Sequence, residues 1–238
     1  MDLNYSPEQL AFANEVREFT RANLDPAIAR KVLEGSRLER EDFLSWHRAL
    51  HKKGWVGVGV FLGYGRKEDY FRIYELDPVV EKFAREQFWF LNGTPAKTDV
   101  VIGDGRLNLE RDAPQQFDLL SLDAFSSDAI PMHLMTREAL RMYRKHVKPD
   151  GVIVFNVTNR FIRLAPLLHE VAKAEGMTAI LISDDPTEDI YSGTEYVLVT
   201  ANKAFIEDKR FADAVKIEPI PGLKPWTDDF NNLFDVLK

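Results

Sequence analysis

From Tyr70 to Thr200, short apolar or β-branched runs alternate with helical patterns, and this constrains the fold more than any other feature of the chain. The strand-length runs are 71–76, 99–103, 117–122, 152–157, 178–182 and 196–200. Amphipathic patterns over 79–91, 136–147 and 161–175 separate most of them. Such alternation predicts a mostly parallel sheet with helices on both faces. One link breaks the pattern: SDDPTEDIYSGT, from Ser183 to Thr194, joins the last two runs with no helical periodicity. A parallel return needs a crossover of about a dozen residues or more, so the last strand is expected to run antiparallel to its predecessor.

Residues 6–53 read instead as helices. Ser6-Pro7-Glu8-Gln9 has the form of a capping box with proline at the first helical position. Leu10, Ala13, Val16 and Phe19 follow at helical spacing, Gly35-Ser36 punctuates, and Phe43, Trp46 and Leu50 mark a second helix stopping at Lys52-Lys53-Gly54. His47 and His51 have no acidic partner at a telling spacing and read as surface residues.

Composition narrows the function. The 238 residues suit one domain of ordinary size with an appendage. A formal charge of −7 disfavours nucleic acid and anionic membranes and suits a neutral or cationic small substrate. There is no cysteine and only five histidines, without metal-ligand spacing, so no metal is expected. The start, MDLNYSPEQL, does not read as a secretory leader, and no apolar run approaches the roughly 20 residues that cross a bilayer. A cytoplasmic protein is expected.

Three successive strand ends carry acids: Glu75 and Asp77, then Asp104, then Asp123. Ligands of parallel α/β sheets sit at these carboxyl ends. An acid at the first could bind ribose hydroxyls, one at the second could accept from an adenine amino group, and Asp123 would sit by the reacting carbon. Aspartate also ends strands because it favours turns and caps helices, so both readings stand for each position. For Asp184, Asp185, Glu188, Asp189 and Glu195 a solvated loop is the expectation. Phe88, Trp89 and Phe90 read as a helix flank entering the core.

YGRKEDYFRIYELDP, DVVIGDGR, FDLLSLDAFSSDAIPMHLMTREAL, VKPDGVIVFNVTNR, YSGTEYVLVTAN and KPWTDDFNNLF together resemble the spermidine synthase-like branch of the class I S-adenosylmethionine-dependent methyltransferases. The resemblance implies a Rossmann-like, mostly parallel α/β sheet with a late antiparallel strand, here preceded by the helical segment. It implies aminopropyl transfer from decarboxylated S-adenosylmethionine, or use of S-adenosylmethionine itself, with a small amine as acceptor. By motif, Glu75 would bind ribose, Asp104 and the Gly105 backbone adenine, and Asp123 would take the proton of the attacking amine. Tyr191 would orient that amine, while the second acid, Asp128, is shifted by the longer DAFSSD spacing. Gly57 and Gly59 match the later glycines of the cofactor loop, with Trp55 where the first should be.

Residues 1–56 resemble the N-terminal helices of acyl-CoA dehydrogenases, without that family's flavin-binding strands or catalytic glutamate, so FAD is not expected. Domains of 1–54 and 55–238 follow, with a shortened or irregular first strand where they meet. Methyl transfer by the same cleft, and a non-catalytic or degenerate module of a chimeric chain that binds adenosyl ligands weakly or not at all and self-associates through its helical N-terminus, for example as a homodimer, are the alternative readings.

Overall fold

The computed structural model describes residues 17–34, 36, 39, 41–42, 45–46, 65–87, 90–123, 131–159, 161–184, 194–211 and 214–238. Its contacts divide the chain into two compact units, Met1–Ile102 and Gly103–Lys238. The expected boundary at residue 54, the capping box at Ser6, His47, His51 and the first strand near Trp55 lie outside the described residues. So do Phe88 and Trp89, the side chains of Phe90 and Asp184, and residues 185–193.

In the first unit residues 17–23 are helical, and a separate helix α1 spans Pro26–Leu33. Asp25 caps it by accepting the Ala27 N–H at 2.7 Å, and Pro26 supplies the preset φ of a first helical position. Sequence periodicity did not single this helix out, because a proline within a helical stretch can begin a helix as readily as end one. Phe19 and Trp46, expected on the apolar faces of two helices, meet with ring centroids 5.9 Å apart.

Strands β1 (Tyr70–Glu75) and β2 (Lys97–Ile102) pair in parallel, from Tyr70↔Lys97 to Glu75↔Ile102. Their crossover holds α2 (Pro78–Gln87) and the short α3 (Phe90–Gly93), where the sequence pattern suggested one helix. One group of contacts on this sheet is polar: the Tyr70 hydroxyl donates to Asp99 at 3.1 Å, Arg72 lies 3.7 Å from Asp99, and Lys97 Nζ stands 5.4 Å above the Tyr70 ring.

The second unit contains α4 (Gly105–Arg111), β3 (Phe117–Leu122), α5 (Arg137–His146), β4 (Val147–Asn156), α6 (Leu164–Ala174), β5 (Thr178–Asp184), β6 (Thr194–Thr200) and α7 (Lys203–Ile206). Its sheet order is β3-β4-β6-β5, and β6 runs antiparallel to both neighbours. The expected reversal of the last strand is therefore present. Its insertion between β4 and β5 is a non-local choice that spacing along the chain does not reveal.

Strand β4 begins at Val147 rather than near Val152, and its register against β3 shifts between Phe117 and Leu119. Gly151 lies within this irregularity. A Cβ there would stand 3.0 Å from the Phe117 carbonyl oxygen and 3.1 Å from that of Asp118, so the two backbones could not keep their approach. Gly151→Ala should destabilise the unit by about 1–3 kcal/mol, read by denaturant unfolding.

Helix α5 shows why the core sits where it does. Thr136 caps it, Glu138 lies in its first turn, and Arg144, Lys145 and His146 occupy its last, complementing the helix dipole at both ends. Its buried face, including Ala139, Leu140 and Tyr143, shares a core with Ile153, Phe155, Leu167, Leu168, Val197 and Val199. Tyr143 meets Phe155 edge-on at 6.3 Å. Burial of these apolar side chains, at about 25 cal/mol per Å², is the main stabilising contribution.

The C-terminal residues close over this core. Trp226 and Val236 are fully buried. The Trp226 carbonyl accepts the Arg137 N–H at 2.9 Å, that of Val236 accepts the Arg163 N–H at 2.7 Å, and the Lys238 N–H donates to Phe161 at 2.8 Å. Among the described residues, no helix is long and apolar enough to cross a membrane.

Candidate active site

Asp123 directly follows β3, and its side chain is exposed. Asn156, the last residue of β4, donates from Nδ2 to Asp123 Oδ1 at 2.8 Å. The orientation of this amide is set from its other end, where Asn156 Oδ1 accepts the Thr158 N–H at 3.0 Å. An NH₂ group is thereby turned toward the carboxylate and fixes its position at the strand end. Exposure leaves the carboxylate open to a cationic or protonated partner.

Asp104 follows β2 by one glycine and caps α4, with Oδ1 accepting the Leu107 N–H at 2.8 Å. Gly103 makes this turn at φ +122, a left-handed conformation, and a Cβ there would meet Asn108 at 3.1 Å. The other carboxylate oxygen, Oδ2, lies 3.5 Å from His133 Nε2. Asp104, Leu107, Pro131, His133 and Asp228 are among the residues lining a cleft of about 760 Å³, within the usual range for small-molecule sites. Among the described residues, no group of three or more acids and histidines is placed to hold a metal ion.

Arg106, in the first turn of α4, ties this region to the C-terminal segment. It forks onto Asp228, with Nη1 at 2.8 Å from Oδ1 and Nη2 on Oδ2, and also donates to the His133 carbonyl. Thr136 donates to Asp228 Oδ1 at 2.7 Å, and the Asp228 N–H reaches Glu138 at 3.0 Å. A planar guanidinium suits this two-point contact as lysine would not.

Arg106 holds the Asp228 carboxyl below the usual carboxylate range against an opposing effect of burial, and Thr136 adds to the lowering. A folded-state pKa below the unfolded one stabilises the fold above the unfolded value of about 3.9, and that contribution is lost as pH falls through the folded value. Asp228→Asn should therefore flatten part of the loss of thermal stability on acidification below about pH 4.

At the end of β1, Glu75 accepts the Asp77 N–H at 2.9 Å. Asp77 in turn accepts the Val79 N–H at 2.8 Å, at the start of α2. Asp77 and Asp104 thus each spend one oxygen on a helix start, the ordinary use of such acids. Gly105 is the first residue of α4. Gly57, Gly59, Asp128 and Tyr191 lie outside the described residues.

The second unit brings Asp123 together with Asn156, and Asp104 with His133 and Arg106. Asn156, His133, Arg106 and Asp228 are the residues that sequence reasoning passed over. Arg106 and Asp228 stood in plain view within DVVIGDGR and KPWTDDFNNLF, but a contact across 122 positions leaves no local pattern.

No protein-family model matches the chain. It is 38% identical to a polyamine aminopropyltransferase of Vibrio vulnificus over 91 residues, 37% of this chain and 30% of that protein. It is 34% identical to an N-terminal histidine N-methyltransferase of Emericella nidulans over 88 residues, 35% of this chain and 15% of that protein. The matched stretches thus span less than a third of these curated relatives. A probable spermidine synthase from Corynebacterium glutamicum superposes with a TM-score of 0.50 at 18% identity, covering 68% of this chain and 64% of that one. At that identity the likeness bears on the fold alone. The parallel strands, the reversed β6 and these relatives agree: over part of its length the chain has the spermidine synthase-like class I methyltransferase fold, an α/β architecture with N-terminal helices.

Proposed function

We propose that the chain is a transferase that moves an alkyl group from an adenosyl sulfonium to a small amine, with aminopropyl transfer from decarboxylated S-adenosylmethionine as the leading reaction. The observation that carries this reading is the exposed Asp123 carboxylate, oriented by Asn156 at the carboxyl ends of β3 and β4. A protonated amine has no lone pair, so a base must deprotonate it where it reacts. Asp123 accepts that proton, the amine nitrogen forms a C–N bond, and the C–S bond breaks to release 5′-methylthioadenosine.

On the motif match, Glu75 is the ribose acid, Asp104 with the Gly105 backbone holds adenine, Gly57 and Gly59 belong to the cofactor loop, and Tyr191 orients the amine. Asp77 takes the capping role. The residues around Asp104 fit an adenosine: the carboxylate retains an oxygen beyond its capping bond, and it lines a cleft of suitable volume. The likeness to a histidine N-methyltransferase favours a second reading, methyl transfer from S-adenosylmethionine to an amine. A domain division near residue 54 accompanies the proposal.

Calorimetric titration with 5′-methylthioadenosine and S-adenosylhomocysteine side by side tests it. Binding of the first in preference to the second is expected for aminopropyl transfer. The reverse preference would favour methyl transfer, and heat from neither would remove the transferase reading.

A further inference from the structure

The register of the second sheet aligns four side chains in a row. Leu122 pairs with Phe155 in the parallel β3–β4 ladder, and one residue further on Asn156 hydrogen-bonds Asp123. Asn156 is the partner of Tyr196 across β4 and β6, and Tyr196 is the partner of Ile182 across β6 and β5. Directly opposed residues of antiparallel strands project to the same face, with Cβ atoms about 4.5–5.5 Å apart. A carboxylate, an amide, a phenol and an alkyl group therefore follow one another where β3, β4 and β5 end.

Tyr196 and Ile182 are both partly exposed. Burial raises the Tyr196 phenol pKa, and the charge of Asp123 raises it further, so the two groups sense one another. The phenol remains protonated at neutral pH, able to donate a hydrogen bond and to present a ring face to a cation. Tyr196 stands two strands from Asp123, roughly 10 Å at the backbone. An ammonium on Asp123 with a chain of several carbons can reach it, whereas a one-carbon amine cannot.

We infer that Tyr196 is a specificity-determining residue for the acceptor, selecting alkyl diamines by contact with the part of the molecule remote from Asp123. This inference rests on the amine-transfer reading for the role of the bound amine, although the contact can be tested without turnover. Binding of 1,4-diaminobutane and methylamine to the whole chain is followed by NMR of the amine signals for wild type, Tyr196→Phe and Tyr196→Leu. The expected result is a preference for the diamine that Tyr196→Phe retains and Tyr196→Leu reduces by about tenfold, the scale of one pocket contact. An unchanged ratio in Tyr196→Leu, or binding of neither amine by wild type, would overturn the inference.

A parallel assay for 5′-methylthioadenosine release separates the two ideas. Diamine selectivity that depends on Tyr196, without release, removes aminopropyl transfer and leaves the selective contact standing. Release with a selectivity ratio indifferent to Tyr196 does the opposite.

Discussion

Asp123→Asn should lower turnover by about 10²- to 10⁴-fold, the range that a positioned base contributes, while leaving the fold and nucleoside binding intact. The asparagine is nearly isosteric, and the site is exposed, so little packing is disturbed. What it removes is the acceptor of the amine proton. Its NH₂ group could also be turned toward the donor that Asn156 presents to Oδ1, so the local hydrogen bond would have to rearrange. Initial rates over a pH series check the assignment. A base role requires that the loss shrink as pH rises and more of the amine arrives already deprotonated, whereas a purely structural role would give a loss indifferent to pH. Full turnover in the variant would show that the base lies elsewhere.

Trp226→Ala should cost about 3–5 kcal/mol of stability, the usual scale for removing a large buried aromatic side chain. The ring is fully buried, and among the described residues no acceptor meets its Nε1, so its contribution is packing rather than hydrogen bonding. Trp226→Phe should therefore be far milder. For a chain of this size the alanine variant should melt roughly 6–20 °C lower. Because Trp226 stands two residues before Asp228, the loss should also loosen the Arg106 fork at the start of α4. Calorimetric melting of both variants reads the effect. Equal melting temperatures for Trp226→Ala and wild type would mean that the C-terminal segment adds nothing to the core.

The strands were legible because each is a short apolar run bounded by turn residues, and the reversal of β6 because Ser183–Thr194 carries no helical period. Helix α4 was missed. Seven residues opening with glycine, GRLNLER, give too few turns for a periodic signal, and its formation depends on the Asp104 cap and the Arg106 tether. The split of the helical pattern over 79–91 into α2 and α3 likewise had no local marker.

At the candidate site the acids at the strand ends were visible, but their uses were not. Asp77 and Asp104 both cap helices, as their residue type alone would suggest, and Asp104 additionally lines a cleft with His133. Asn156 and Tyr196 look like ordinary strand residues in sequence. Only the register of β4 with β6 puts them opposite one another, with Asn156 bonded to Asp123. The likeness of residues 1–56 to acyl-CoA dehydrogenase helices rests on the sequence alone.

Mass spectrometry of the nucleoside product tests the central claim most directly. Purified chain is incubated with 1,4-diaminobutane and either decarboxylated S-adenosylmethionine or S-adenosylmethionine. Amine-dependent formation of 5′-methylthioadenosine from the decarboxylated donor, slowed by about 10²- to 10⁴-fold in Asp123→Asn, is the predicted result. S-adenosylhomocysteine as the amine-dependent product would contradict aminopropyl transfer in favour of methyl transfer, and the absence of both products would contradict the transferase account as a whole.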